Sequence, residues 1–274
     1  GAGVSTESGI PDFRSVDGLY HQKFQYPPET ILSHSFYVRH KAEFYDFYRA
    51  KMLAPWAQPN AAHRKLAQWE QEGKLKAVIT QNIDGLHQKA GSREVLELHG
   101  SVHRNRCIEC GRQYGLETVL AAQGVPKCVC GGVIKPEVVL YEEMLDEAVL
   151  RASVRAIAGA DLLIVGGGPI SIGSDCLIGP RVSIYTPNHA IARKPRLEGW
   201  QHNADVTIGN NVWLGGNAVI CPGVTVGDNS IIGAGAVVTH DIPADSIAVG
   251  NPCHVIAEVP DDWTPEERAA AEKQ

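Results

Sequence analysis

The cysteines form the most specific chemical pattern in the chain. Two residues separate Cys107 from Cys110, and a gap of seventeen residues leads to Cys128 and Cys130, which are separated by one. Two close pairs can supply four thiolates to a tetrahedral zinc ion, and the glycines that follow Cys130 permit a tight turn. The alternative is a group of buried free cysteines. Because no ligand for an open coordination position is evident nearby, the spacing predicts a structural zinc ion.

Three polar side chains follow a predicted buried strand at residues 75–80. They are Gln81, Asn82 and Asp84. In open α/β sheets, ligands bind at the carboxyl ends of the strands, so this position suits chemistry. Asn82 and Asp84 could instead cap a helix that begins near Leu86. Capping accounts for one such residue but not for three polar groups in four positions.

A histidine stands at the end of a second predicted strand, at residues 95–98. His99 is followed by Gly100 and Ser101. A lone histidine is more often structural than catalytic. However, an imidazole titrates near neutrality, and at a strand end it is placed to act as a general base.

The first residues are rich in glycine. Gly1-Ala2-Gly3-Val4-Ser5 is followed by Ser8-Gly9-Ile10-Pro11-Asp12-Phe13-Arg14. Glycines let backbone amides approach a diphosphate closely, and Arg14 can add charge. Turns also produce Gly-x-Gly, and the usual confirmation, a strand immediately before the loop, is missing because the sequence starts at Gly1.

Together these segments resemble the sirtuins, which are NAD-dependent protein deacylases. The resemblance covers nearly all of residues 1 to 167. It is carried by the first loop, Thr80-Gln81-Asn82-Ile83-Asp84-Gly85-Leu86-His87, Leu98-His99-Gly100-Ser101, the four cysteines, Lys135-Pro136-Glu137-Val138-Val139-Leu140-Tyr141-Glu142-Glu143 and Ala160-Asp161-Leu162-Leu163.

The resemblance implies NAD and zinc as cofactors and an acyl-lysine protein or peptide as substrate. It makes His99 the base that activates a ribose hydroxyl after the acyl oxygen displaces nicotinamide, with Asn82 and Asp84 also in catalytic positions. The implied NAD-binding residues are Gly1, Ala2, Gly3, Ser5, Asp12, Phe13, Arg14, Gln81, Asn82, Ile83 and Asp84. The residues implied to pair with the substrate backbone, by strand addition, are Val138, Val139 and Tyr141.

This chain departs from the sirtuin pattern at two places. Most sirtuins have Phe-Gly-Glu where Tyr141-Glu142-Glu143 stands here, which is expected to alter the mouth of the acyl tunnel. The family also continues past its last strand with Gly-Thr-Ser and strands that bind the adenosine half of NAD. Here Gly166-Gly167-Gly168 leads directly into Pro169-Ile170-Ser171. We therefore expect an incomplete Rossmann-like α/β domain over residues 1–167, with a zinc module at about 103–135.

Aliphatic residues recur every six positions in the second half of the chain. They are Ile208, Leu214, Ile220, Val226, Ile232 and Val238. This period is typical of a β-solenoid, in which each hexad forms one short strand and the repeated aliphatic side chain points inward. The sequence predicts a left-handed parallel β-helix of about three coils over residues 169–258, interrupted by an excursion at 185–206. A short C-terminal helix is predicted at 259–274.

This half resembles the hexapeptide-repeat O-acetyltransferases of the maltose and galactoside type. The resemblance is carried by Asn211-Val212-Trp213-Leu214-Gly215-Gly216, Pro222-Gly223-Val224, Gly233-Ala234-Gly235 and Gly250-Asn251-Pro252-Cys253. It implies acetyl-CoA as a cofactor, a sugar acceptor and a homotrimer, with His189 as the base and Gly216, Ala234 and Thr239 lining the CoA groove. Without that context, His189 is a solvated loop histidine.

The composition excludes some classes of binding partner and indicates a cellular compartment. A net charge of −6 gives no electrostatic case for nucleic acid, and no apolar run approaches the ~20 residues of a membrane helix. Clustered cysteines without a secretory signal indicate a reducing compartment, so we expect a cytoplasmic protein. Because the chain begins with Gly-Ala-Gly rather than Met, we also expect a fragment.

Three functions remain open. The expected function is NAD-dependent protein lysine deacylation, because more of that reaction's residues are present. The first alternative is an acetyl-CoA-dependent sugar O-acetyltransferase in the second half. The second alternative is an inactive fusion of two fragments.

Overall fold

A computed structural model of the chain describes residues 2–12, 18–19, 24–197 and 199–262. The chain divides into two units, Gly1–Gly159 and Ala160–Gln274. The division falls before the expected boundary at Gly167, because the strand that follows Ala160 pairs within the second unit.

The first unit begins with a short 3₁₀ helix, Ala2–Ser8, and a layer of helices. These helices are α1 (Pro28–Ile31), α2 (His34–Arg39), α3 (Lys41–Phe47), a π-helical turn at Tyr48–Met52 and α4 (Ala61–Gln71). The core of the layer is aromatic: Phe44, Tyr45 and Tyr48 are fully buried. The N-terminus of α4 is capped by Asn60, whose side chain accepts hydrogen bonds from the amides of Ala62 and His63.

The α/β part of the first unit contains two parallel strands in the described residues. Strand β1 (Val78–Thr80) leads through α5 (Leu86–Lys89) to β2 (Val95–Glu97). Thr80 is in register with Glu97, so the two strands end at the same edge. This pairing brings the segment after Thr80 beside the segment after Glu97, as the strand-end prediction requires.

The zinc module is built on a small antiparallel sheet. Its elements are β3 (Gly100–Cys107), β4 (Gln113–Tyr114), α6 (Leu116–Ala121) and β5 (Ile134–Val138), and α7 (Glu147–Ala158) follows. Strand β3 lies in the middle of the sheet, with β4 and β5 on either side.

Strand β6 (Leu162–Val165) departs from the sequence prediction. The resemblance placed it in the α/β domain, but it pairs in parallel with residues 182–185 of the second unit. The cause is that a strand of a parallel sheet is apolar on both faces, so its sequence does not specify which sheet it joins. The next turn is fixed by Thr186, whose Oγ1 accepts hydrogen bonds from the amides of Gly167 (2.8 Å) and Gly168 (3.0 Å).

The rest of the second unit is a parallel β-helix. Its elements are β7 (Ile170–Ile172), β8 (Leu177–Ile178), β9 (Val182–Tyr185), β10 (Pro187–His189), α8 (Arg193–Leu197), β11 (Gln201–Asn203), β12 (Val206–Ile208), β13 (Trp213–Leu214), β14 (Val219–Ile220), β15 (Thr225–Val226), β16 (Ile231–Ile232), β17 (Val237–Val238), β18 (Ser246–Val249) and β19 (His254–Glu258). Parallel strands stack into three sheets, β7–β12–β15, β8–β13–β16–β18 and β6–β9–β14–β17, and β19 pairs antiparallel with β18.

The six-residue repeat is confirmed. All six of its aliphatic side chains are buried in one continuous core. The excursion forms a β10–β11 hairpin outside the coils, with α8 between its strands. The predicted C-terminal helix lies outside the described residues, except for its first positions. No helix in the described ranges is both long and apolar enough to cross a bilayer.

Candidate functional site

A hydrogen-bonded group joins the first segment of the chain to the end of β1. The Ser5 hydroxyl donates to Asp84 Oδ2 at 2.7 Å, and the Asn82 side-chain amide donates to Ser5 Oγ at 3.1 Å. Ser5 is 1% exposed, whereas Asn82 and Asp84 are partly buried, so the group has a shielded side and an accessible side. A carboxylate, an amide and a hydroxyl here provide both acceptors and donors to a carboxamide-bearing ligand.

The capping alternative for Asp84 is correct in part. Asp84 Oδ1 accepts a hydrogen bond from the amide of Leu86 at 2.9 Å, at the start of α5. Its other oxygen contacts Ser5 and Asn82, the latter at 3.4 Å. One carboxylate therefore both caps the helix and contributes to the polar group, whereas the hydrogen bonds of the Asn82 side chain, within the described ranges, all go to Ser5 and Asp84.

His99 lies at the end of β2, as the sequence predicts. Its backbone carbonyl accepts a hydrogen bond from the amide of Val139, and the preceding residue, Leu98, donates to the carbonyl of Thr80. Partial burial lowers the pKa of His99 below its ordinary value, and a hydrogen bond with the Gln81 backbone opposes that shift. Burial therefore favours the neutral imidazole, the form that can accept a proton.

Two buried histidines near Asp84 carry no signal in the sequence. The rings of His63 and His87 lie 4.7 Å apart, and the residues are 0% and 4% exposed. Burial lowers the pKa of His87 to about 4 and lowers that of His63, while the Asp84 carboxylate opposes both shifts. His63 Nε2 and His87 Nδ1 have no hydrogen-bond partner within the described part of the chain.

The remaining residues expected to bind NAD are spread over three places. Ala2 and Gly3 lie in the 3₁₀ helix that carries Ser5. Asp12 follows it, and its backbone carbonyl accepts from the amide of Leu19. The side chain of Ile83 packs against the aromatic core. Three of the expected residues lie outside the described residues: Gly1, Phe13 and Arg14.

The four cysteines converge as predicted. All four Sγ atoms lie within 4.8 Å of one another. Cys107 and Cys130 are 3.5 Å apart, and Cys110 and Cys128 are 3.6 Å apart. Four sulfurs at ~2.3 Å from a tetrahedral zinc ion would lie about 3.8 Å from one another, so the set fits that ion.

The surroundings of the four cysteines also suit a metal ion. The Tyr114 hydroxyl donates to Cys128 Sγ at 2.9 Å. Hydrogen bonds from the Cys130 amide and from Tyr114 lower the pKa of Cys128 to about 6, which favours the metal-binding thiolate. A Cβ on Gly132 would lie 2.7 Å from Cys107 Sγ, so this position requires glycine. Tyr114 has no spacing motif and was not predicted.

The residues expected to bind the substrate peptide lie at and beyond the end of β5. Val138 pairs with Gly100, and the amide of Val139 donates to His99. Tyr141 is 46% exposed, and its backbone amide and carbonyl bond to Leu32 and His34. The amides of Val139 and Tyr141 are therefore already engaged within this chain.

Comparison with known proteins identifies the first unit. A profile of the Sir2 family matches residues 1–174. The chain belongs to the Sir2 family. An NAD-dependent protein deacetylase of Clostridium acetobutylicum is 50% identical over 216 residues, which cover 77% of this chain and 87% of that protein. An NAD-dependent protein deacetylase of Clostridium perfringens is 57% identical over 170 residues, or 61% of this chain and 70% of that protein.

Solved Sir2 structures have the same fold. A complex of Sir2 with a p53 peptide and NAD⁺ superposes with a TM-score of 0.52 at 32% identity, covering 76% of this chain and 78% of that one. A variant Sir2 homologue in complex with ADP-ribose gives a TM-score of 0.56 at 33% identity, covering 76% of both chains.

The Glu142 departure from the Sir2 pattern has a structural explanation. Glu142 has a left-handed backbone, with φ 75°, where the Sir2 pattern has glycine. Such a backbone is strained for a residue with a side chain. The Glu142 carboxylate accepts hydrogen bonds from the Ser35 amide at 2.9 Å and the Ser35 hydroxyl at 3.0 Å. These contacts at the start of α2 offset the strain.

The second unit is similar to a different family. The bacterial transferase hexapeptide profile matches residues 205–240, and a hexapeptide repeat of succinyl-transferase matches residues 169–186.

The residues expected to line a CoA groove lie in successive coils. The Gly216 carbonyl accepts a hydrogen bond from the Gly235 amide, next to Ala234 in the following coil, and Thr239 Oγ1 lies 2.9 Å from His240 Nδ1. His189 lies on the β10–β11 hairpin rather than in the coils. The Sir2 profile and the succinyl-transferase repeat overlap at residues 169–174, which include β7, and the Sir2 profile also covers β6, which pairs within the solenoid.

Proposed function

We propose that the Sir2 unit catalyses NAD-dependent removal of acyl groups from lysine side chains of a protein. The observation that supports this most strongly is the partly buried Ser5–Asn82–Asp84 group beside the strand end that carries His99. The family membership and the deacetylase relatives support the same reaction.

Each residue has a distinct part in the proposed reaction. Asn82 and Asp84 hold the carboxamide and ribose part of NAD, with Ser5 fixing the orientation of the Asp84 carboxylate. When bound, NAD supplies an electrophilic ribose carbon and a nicotinamide leaving group. His99, neutral because it is partly buried, takes a proton from a ribose hydroxyl. The zinc module positions β3 and β5 and takes no part in the chemistry.

Release of nicotinamide that depends on an acetyl-lysine peptide tests the proposal. The intact chain should release nicotinamide from NAD only with the acetylated peptide, and His99→Ala should lower the rate by ~10²–10⁴-fold. His202→Ala, in the hairpin of the other unit, is the matched control and should retain the rate. An unchanged rate in His99→Ala would refute the assignment.

A second candidate function concerns the solenoid, because both hexapeptide profiles match it. In this proposal the second unit transfers an acetyl group from acetyl-CoA to a sugar hydroxyl, with His189 as base. Gly216, Ala234 and Thr239 would line the groove of a neighbouring subunit in a homotrimer. Release of CoA thiol that depends on a sugar acceptor and is lost in His189→Ala would support it. A monomer in sedimentation at micromolar concentration would exclude the shared site.

A further inference from the structure

A cavity with several charged side chains in its wall lies at the strand end that carries His99, the proposed base of the Sir2 unit. Its volume is about 740 Å³. Both chain neighbours of His99, Leu98 and Gly100, line it, and so do Val138 and Val139 at the end of β5. The cavity therefore adjoins the strand end that carries the proposed base, although His99 itself is not part of its wall, and it adjoins the segment expected to bind the substrate peptide.

Six charged residues line the cavity, and four of them, Arg104, Arg106, Glu97 and Glu137, form one cluster. The other two are Lys135, which pairs with Glu143, and Asp146, which caps α7. Arg104 contacts Glu97 at 2.7 Å and lies 3.9 Å from Glu137. Arg106 contacts the other oxygen of Glu137 at 3.2 Å. Both oxygens of Glu137 thus face an arginine, whereas Arg106 makes its contact through Nε, which leaves its two terminal nitrogens for another acceptor.

The exposed part of this cluster is cationic. The side chains of Arg104 and Arg106 are 51% and 58% exposed, whereas those of Glu97 and Glu137 are 7% and 29% exposed. The carboxylates lie behind the guanidinium groups that they neutralise. A basic ligand would have to displace an arginine to reach them, whereas an acidic ligand would meet free donors first.

We propose that this cavity is a subsite for an acidic side chain of the substrate, close to the acyl-lysine. Arg106 is the principal donor and Arg104 the second. The assignment rests on the proposed deacylase function and adds a sequence preference to it. A peptide that runs past Val138 toward His99 would pass the cavity mouth, because both segments form its wall.

A charge scan of an acetyl-lysine peptide tests this subsite. A neutral peptide is varied one position at a time, on both sides of the acetyl-lysine, to Glu, Gln or Lys. Binding is measured by fluorescence anisotropy and turnover by nicotinamide release. We expect Glu to bind about 2- to 10-fold more tightly than Gln at one or two positions, an advantage that decreases as salt is added.

The variants identify the residues responsible. The preference for Glu is expressed as the dissociation constant of the Gln peptide divided by that of the Glu peptide. In Arg106→Gln this ratio should fall to about 1, and in Arg104→Gln it should fall less far. Arg93→Gln, an exposed arginine outside the cavity wall, should keep the ratio. Zinc content, measured for each variant, must stay at the wild-type value, because Arg106 precedes a cysteine of the metal centre.

The results that would overturn the subsite differ from the result that would overturn the deacylase function. Turnover with no difference among Glu, Gln and Lys at every position would overturn the subsite and leave the deacylase function standing. A preference for Lys would overturn the sign of the charge assignment. No binding of any acetylated peptide would overturn the deacylase function and the subsite with it.

Discussion

The Ser5 hydroxyl lies 2.7 Å from the Asp84 carboxylate, although the two residues are 79 positions apart in the chain. This contact holds the 3₁₀ helix at the start of the chain against the end of β1. A second contact holds the same segment, since the Asn60 side-chain amide donates to the Val4 carbonyl at 2.6 Å. The first segment is therefore fixed by the strand end and by the cap of α4.

Replacing Ser5 with alanine should weaken NAD binding more than it weakens the fold. The change removes the Ser5 hydroxyl from Asp84 Oδ2, which keeps only the longer Asn82 contact, and a hydrogen bond to a charged group contributes ~1.5–3 kcal/mol. We expect the KM for NAD to rise about 10-fold or more. Ser8→Ala is the matched control, because the Ser8 hydroxyl has no partner among the described residues. Equal effects of the two changes would contradict the role of Ser5.

The pH profile of deacylation should reflect the lowered pKa of His99. Burial lowers this pKa below the ordinary value of 6.5, so the neutral base is already present at pH 7. The expected kcat/KM is constant from pH 8 to about 6.5 and decreases only at lower pH. A kinetic pKa at or above 7 would be inconsistent with a partly buried base.

The local stability of α5 should decrease in mild acid because of His87. Its pKa is about 4 in the folded chain, against 6.5 for an ordinary histidine. Between those values the unfolded state binds the proton first, so stability is complete above about pH 6.5 and decreases as the pH falls toward 4. The full loss is about 3 kcal/mol.

Hydrogen exchange of the α5 amides at several pH values measures this loss. His87→Asn should flatten the pH dependence, and His40→Asn, at the exposed junction of α2 and α3, should preserve it. An unchanged slope in His87→Asn would assign the pH dependence to another group.

Removing zinc should unfold the small sheet of the first unit. Four thiolates that converge within 4.8 Å repel one another when no cation lies between them, and structural zinc contributes folding energy directly. We expect one zinc per chain by elemental analysis and its loss in the Cys110→Ala, Cys128→Ala double variant. Cys176→Ala, in the solenoid, should keep the metal. Zinc retained by the double variant would exclude this site.

Strand β6 should contribute to the stability of the solenoid rather than to that of the α/β unit. Leu162 packs against the solenoid core and is in register with the buried Val182, whereas Leu163 is in register with Ser183. Leu162→Asp should therefore destabilise residues 160–262 by about 2–4 kcal/mol, the scale of a lost core contact with a charge placed in it. Leu163→Asp should have a smaller effect. Hydrogen exchange that reports loosening of residues 2–159 instead would contradict the pairing.

Two kinds of feature could be predicted from the sequence: side chains at the positions of the six-residue repeat, and polar side chains directly after a predicted strand. The hexads predicted the inward side chains, and two apolar runs that each end in polar residues predicted the strands β1 and β2, whose alignment the structure supplies. The cysteine spacing predicted the metal centre. The contacts of Ser5, the pair formed by His63 and His87, and the Tyr114 hydrogen bond depend on packing between distant segments, and no local pattern encodes them. Strand β6 was assigned to the wrong sheet because its apolar residues suit either sheet.

The pairing of β6 with β9 bears on how chains of different ancestry can be joined. A parallel strand requires a run of apolar residues and a partner in register, and the four residues from Leu162 to Val165 meet that requirement in the solenoid. The glycines that follow can enter a new turn because Thr186 accepts both of their amides. If two genes recombine inside a strand of this kind, the strand keeps its hydrogen bonds. It no longer pairs in the sheet of the first fold, and it forms the edge strand of the second fold instead.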